Sequence, residues 1–344
     1  MDQALPAFAL VAALLLMGAL AAADGLFAWS ARRLERLPGS AHALYLATLG
    51  LVAAVTIVLN LDTAVVFLTP VAIGAALRRR VPVAPFLYGT VIVANGASLL
   101  LPGSNLTNLI VLGAEHVPGG AYLARMAAPA AAALAATVAV LLARYRRSLR
   151  ARLASPAPGR PDATPPAGAL GIAATVSAGL LVLALPHPAP WVLLVAVGFT
   201  VVAVRRGLLE RGDALRRLDL PVLLALLALS VLLGTLARQW AGPHDLVAGL
   251  GRWPTTAVAA LSSVALNNLP ASVLLSSGPV AHPRALIIGL NLGPNLFVTG
   301  SLAVYLWWRA AQAHGEEPSV TGYVRAALPA ALAGMAAALL ALGA

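Results

Sequence analysis

The chain has 344 residues, 60% of them hydrophobic and only 10% charged, with a mean hydropathy of +0.88. A soluble domain is roughly 45–50% apolar and about 25% charged, so the composition excludes a water-soluble domain and points to an all-α polytopic membrane protein. The net charge of +11 does not signal nucleic acid, because all 23 basic residues are Arg and most sit in short loops between apolar runs; the absence of Cys excludes disulfides, thiolate metal sites and a Cys nucleophile.

The first apolar run, at about 4–29, lacks a basic leading region and is too long for a signal peptide. It reads as a first transmembrane helix. The next run, 42–77, is interrupted by Asn60, Asp62 and Thr63. Arginines flank it on both sides (Arg32, Arg33 and Arg36; Arg78, Arg79 and Arg80), so both of its ends are expected on the cytoplasmic side. That makes it a hairpin. The run 84–113 breaks at Gly103, Ser104 and Asn105, and 121–143 returns to the basic stretch RYRRSLRAR.

A Pro-rich linker, 153–167, separates this first half, 1–152, from a second, 168–344. The second half holds runs at 168–186, 189–204 and 219–237, then 255–280 with a break at Asn267 and Asn268. Before that break lie only about 12 apolar residues, or roughly 18 Å of helix at 1.5 Å per residue. Such an arm does not cross a bilayer, so a re-entrant hairpin is expected. The run 284–308 breaks near Gly293, Pro294 and Gly300, and 322–343 closes the chain. Along this path about 19 arginines face the cytoplasm and four (Arg125, Arg238, Arg252 and Arg284) face outward.

Each half thus holds a hairpin with an Asn-bearing tip followed by a helix broken at Gly-Ser, and the two hairpins enter from opposite sides. This predicts an inverted-repeat secondary transporter with two re-entrant hairpins and two broken transmembrane helices, its solute site at the repeat interface. Asp62 is the one acidic residue placed near mid-membrane, where an ionisable group marks function by default. It is a candidate proton or cation carrier; the competing reading is a turn that reaches water. Asn60, Thr63, Asn267 and Asn268 offer neutral groups to a hydroxylated or cationic solute, or else hydrogen bonds that fix the tips. The breaks add two polar clusters: Ser104, Asn105, Thr107 and Asn108, and Asn291, Asn295, Thr299 and Ser301. The six histidines lie in loops or at membrane edges without ligand spacing. No metal, no cofactor and no catalytic constellation is expected, so the chain does not read as an enzyme.

The stretches DTAVVFLTPVAIGAAL, GASLLLPGSNLTNLIVLG, ALNNLPASVLL and NLGPNLFVTGSLAVYLWW resemble the arsenite efflux permeases (the ArsB type) of the ion transporter superfamily, which also holds sodium–proton antiporters and dicarboxylate permeases. The resemblance runs from about residue 24 to the C-terminus. It implies export of arsenite or antimonite across a bacterial cytoplasmic membrane, exchanged for protons or driven by a soluble ATPase partner, in a lipid-embedded chain or homodimer. The sequence departs from that pattern in several places. Leu61 separates Asn60 from Asp62, Asn95 and Asn291 stand where the family often has Asp, and Asn295 stands where it has Lys. A leading helix or two of the pattern is also missing. Sodium–proton exchange through Asp62, transport of an organic anion, and a non-transporting membrane subunit or inactive relative are the alternatives. The lack of any mid-membrane Arg counts against the anion.

Overall fold

In lipid a backbone must satisfy its own polar groups, so apolar runs of this length fold as helices. The computed structural model describes residues 4–113, 117–154, 168–185, 187–209, 220–240 and 242–343. The linker from 155 to 167, and the loop that holds His116, lie outside the described residues. Among the described residues the regular structure is helical throughout.

The first run divides into two helices, correcting the single helix expected over 4–29. Helix α1 (Ala4–Ala23) ends before Gly25, whose φ of 83° lets the chain turn, and α2 (Leu26–Glu35) follows as a separate amphipathic helix. The first hairpin is α3 (Ala41–Val58) and α4 (Leu61–Arg78). Each arm has 18 residues, about 27 Å of helix, so length alone would let each arm cross. The tip, however, is packed within the protein: Leu59, Asn60, Leu61 and Thr63 are buried, and Asp62 is half-buried. Gly18 of α1 packs directly on Thr63, leaving no room for a side chain, and Ser104 donates to the carbonyl of Ile57 at 2.9 Å.

The first broken helix is α5 (Val83–Ala97), a 3-10 turn (Pro102–Ser104) and α6 (Leu106–Leu112). Helices α7 (Gly119–Tyr145), α8 (Ala169–Ala184), α9 (Ala189–Arg205) and α10 (Leu220–Gln239) follow, then a short α11 (Gly242–Ala248). The second hairpin is α12 (Arg252–Leu266) and α13 (Asn268–Leu275), with arms of 15 and 8 residues. The second broken helix is α14 (Pro283–Leu292), a 3-10 turn (Gly293–Leu296) and α15 (Leu302–Ala313), and α16 (Val320–Gly343) ends the chain.

The first segments of the two broken helices form the centre. Every residue from Pro85 to Ala97 and from Ala285 to Leu292 is buried, as expected for helices apolar all round. Close helix approach is achieved by small residues. A Cβ on Gly289 would lie 2.4 Å from the carbonyl oxygen of Thr256, and one on Gly293 would lie 2.5 Å from Cα of Ala260, so α14 sits backbone to backbone on α12. Around this centre α7 packs along α16, and α1 packs along α8 and α9.

Breaking a helix frees carbonyls that must find donors at that depth. Side chains supply them. Tyr122 donates its hydroxyl to Leu99 O and Tyr323 donates to Pro294 O, each at 3.0 Å. Asn108 Nδ2 donates to Ser98 O at 2.8 Å and to Leu101 O at 3.2 Å. Away from the breaks, Trp307 Nε1 donates to Leu87 O at 2.9 Å and ties α15 to α5.

Candidate functional site

Four helices begin at one cavity of about 290 Å³. They are α4, α6, α13 and α15, and each starts with a side-chain cap. Asn60 Oδ1 accepts from Thr63 N at 2.7 Å, and Asn105 Oδ1 accepts from Thr107 N at 3.1 Å. Asn267 Oδ1 accepts from Leu269 N at 3.3 Å, and Ser301 Oγ accepts from Val304 N at 3.3 Å. Asn and Ser are preferred at this position because their oxygens reach back to the unpaired amides of the first turn. A helix start leaves four such amides, and a cap satisfies only one. Each start also carries about half a positive charge. The cavity therefore presents positive, donor-rich ends to whatever occupies it.

The lining adds Asp62, Asn105, Thr107, Asn267, Asn268 and Ser301 as its polar residues, with Leu226 and Leu229 of α10 closing one side. Among the described lining residues Asp62 is the one ionisable group. It stands in the first turn of α4, where the helix start favours a negative charge. Thr107 Oγ1 is buried without a hydrogen-bond partner, and so are Asn60 Nδ2 and Thr63 Oγ1 at the adjoining tip. The Asn268 backbone N–H donates to Gly300 O at 2.9 Å, tying the second tip to the second break.

Asn267 has φ 76° and ψ 149°, a backbone region that residues other than Gly rarely occupy. Strain of this kind costs about 1–3 kcal/mol and clusters at ligand sites. Gly300 is needed for a different reason: a Cβ there would lie 2.3 Å from Pro294 Cα. The break thus folds tightly onto the 3-10 turn and aims Ser301 at the cavity.

Other predicted site residues bind one another instead. Asn291 donates to Asn108 Oδ1 at 2.7 Å and to Ile287 O at 2.8 Å, while its own Oδ1 accepts from Ser98 Oγ and from Asn105 Nδ2. Asn95 Nδ2 donates to Asn295 Oδ1 at 2.8 Å, and Asn295 donates to Ile92 O at 3.1 Å. These amides form a buried lattice between the two broken helices. Asn108, Asn291 and Asn295 therefore do not line the cavity; Asn105 belongs to both the lattice and the cavity. Ser104 is spent on Ile57, and Thr299 is exposed and donates to Val264 O at 2.8 Å. Sequence reasoning missed Ser98, which carries no distinguishing signal. It singled out Asn95 only as a departure from a family pattern.

Two apolar hairpins and two broken helices meeting tip to tip describe a transporter fold, and the sequence profile of the citrate transporter family (CitMHS) matches residues 2–298. The chain belongs to the citrate transporter family. It is a multi-pass membrane transporter of the ion transporter superfamily. Curated relatives of this chain carry another name. The arsenical pump membrane protein of Yersinia enterocolitica is 27% identical over 325 residues, covering 83% of this chain and 73% of that protein. That of Escherichia coli (strain K12) is 27% identical over 316 residues, with the same shares covered. The crystal structure of the Alcanivorax borkumensis YdaH transporter, described as having an unusual topology, superposes with a TM-score of 0.56 at 15% identity. It covers 97% of this chain and 84% of that one. For this member of the citrate transporter family the likeness establishes the shared fold, and the cavity chemistry has to be read from its own residues.

Proposed function

We propose that this chain is a secondary transporter of bacterial cytoplasmic membranes that exports a small, hydroxyl-rich solute, arsenite or antimonite, in exchange for protons. The observation that carries the reading is the meeting of four capped helix starts at a cavity whose described lining holds one ionisable side chain, Asp62. Trivalent arsenite is an uncharged trihydroxide near neutral pH. Its oxygens accept from helix-start amides, and its hydroxyls donate to Asn and Thr oxygens. Four starts of about +0.5 each, offset by one carboxylate and by their own caps, leave a weakly positive site. Such a site suits a neutral solute or a monoanion. A tricarboxylate would need fixed cations, and the described lining has no Arg.

The same reading treats 1–152 and 168–344 as inverted repeats whose hairpins enter from opposite faces. The shared cavity of Asp62, from the first tip, and Asn267, from the second, supports that arrangement. The two relatives named as arsenical pump proteins support the solute. A second reading, an organic anion held by the helix starts, is favoured by the family's description as citrate transporters.

Everted membrane vesicles with an acid interior distinguish the two. Arsenite accumulation without citrate accumulation supports the first reading, and the reverse supports the second. Movement of neither solute by correctly inserted protein sinks both.

A further inference from the structure

A second cavity, of about 340 Å³, lies away from the four helix starts, between α2, the last turns of α4 and the end of α15. That volume falls within the ~300–1,000 Å³ range of small-ligand pockets. Its floor is apolar: Phe27 and Ala31 from α2, and Pro70, Val71, Ile73 and Leu77 from α4. Its rim is basic, made by Arg78 and His314.

The surroundings match a membrane boundary. Helix α2 leaves α1 at the Gly25 turn and buries Phe27, Ser30 and Leu34 while Arg32 and Arg33 face outward. The Arg33 guanidinium sits 5.3 Å from the centre of the Trp29 ring, a cation over an aromatic face. An amphipathic helix with Trp and Arg of this kind lies in the interface plane. Helix α4 ends its apolar span at Arg78, and the cavity spans its last two turns, so its depth matches the region just below the lipid headgroups.

Leu77, 54% exposed, stands at the opening. Arg78 lies back over Gly74, where a Cβ would meet its guanidinium at 2.8 Å, and pairs with Glu35. That carboxylate offsets the charge of Arg78, and Arg33, held over Trp29, adds a further positive charge on α2. His314 Nδ1 donates to Ala310 O at 2.9 Å, so the imidazolium form of the ring keeps Nε2–H to donate to an anionic ligand.

We propose that this cavity is a binding site for an anionic phospholipid, with an acyl chain against Phe27, Pro70 and Ile73 and the headgroup phosphate on Arg78 and His314. An apolar pocket alone would take any lipid tail; the basic rim selects the anionic headgroup. Because the site joins α2 to the cytoplasmic end of the first hairpin, its occupant ties that hairpin to the neighbouring interfacial helix.

The test uses the purified full chain, stripped of lipid in detergent and titrated with phosphatidylglycerol or phosphatidylcholine, with bound lipid counted by native mass spectrometry. The wild type is expected to hold phosphatidylglycerol with about tenfold preference. Arg78→Gln, at an exposed position, is expected to lower that preference to about twofold or less, the guanidinium charge being lost. Gly74→Leu fills the cavity and is expected to weaken both lipids. Equal retention of the two lipids by the wild type overturns the proposal, whatever the variants do. An unchanged preference in Arg78→Gln overturns the assignment of the headgroup. Binding of soluble glycerol phosphate as tight as that of the lipid overturns the assignment of the tail.

Discussion

Asn291 on the second broken helix and Asn108 on the first face each other in the middle of the protein, with the Asn291 amide donating to Asn108 Oδ1 at 2.7 Å. Residues 183 positions apart in sequence thereby lock the two breaks together. Both are fully buried. The pair is held on every side, since Ser98 and Asn105 also donate to Asn291.

Replacing Asn291 by Ala should therefore destabilise the fold rather than alter solute choice. It removes the acceptor of Asn105 Nδ2 and the donor to Asn108 Oδ1 at once, while Ser98 keeps Asn95 O as an acceptor. Leaving a buried polar group unpaired costs about 1–3 kcal/mol. A clear fall in the thermal midpoint of the detergent-purified protein is expected. An unchanged midpoint would mean that the lattice relaxes onto other partners.

Thr107→Val should behave in the opposite way. The Thr107 hydroxyl lines the cavity, is buried and has no protein partner. Removing an unpaired hydroxyl with a side chain of the same shape is near neutral for stability, within about 0.5 kcal/mol. If the hydroxyl contacts the solute, affinity falls while the thermal midpoint holds. Solute binding equal to the wild type would show that Thr107 does not touch it.

Asp62→Asn isolates coupling. The substitution keeps the shape and removes the one ionisable group of the described lining. The lost charge at the helix start costs about 0.3–1 kcal/mol, too little to unfold the chain. Solute exchange between equal pools should persist, and accumulation driven by a proton gradient should vanish. Gradient-driven accumulation in the variant would place the proton elsewhere.

Labelling tests the proposal that the two hairpins enter from opposite faces, since the chain has no Cys of its own. Pro38, before α3, and Ser277, after α13, are both exposed. Single-site Pro38→Cys and Ser277→Cys variants should react with a membrane-impermeant maleimide from opposite faces, Ser277→Cys from outside. Reaction of both from one face would remove the inverted repeat.

Much of the architecture is legible without coordinates. The arms of the second hairpin are too short to cross a bilayer, Gly103-Ser104-Asn105 marks the first break, and Gly293-Pro294 with Gly300-Ser301 marks the second. Residue type also explains the four helix starts, because Asn60, Asn105, Asn267 and Ser301 are all good caps. Length could not settle the first hairpin. Its arms are long enough to span, and only the contacts of Thr63 with Gly18 and of Ser104 with Ile57 reveal a buried tip.

The sequence by itself determined that this chain crosses the membrane as helices, because too few charges and too many apolar residues leave no other solvent for it. It also determined where the helices break. Tertiary structure alone decided what the buried amides do. An Asn in an apolar run must find partners, but it donates and accepts equally well to a solute, a carbonyl or another Asn. Only the packing of α14 between α5 and α12 brings Asn291 onto Asn108 and leaves Asn105, Asn267 and Asp62 to face the cavity.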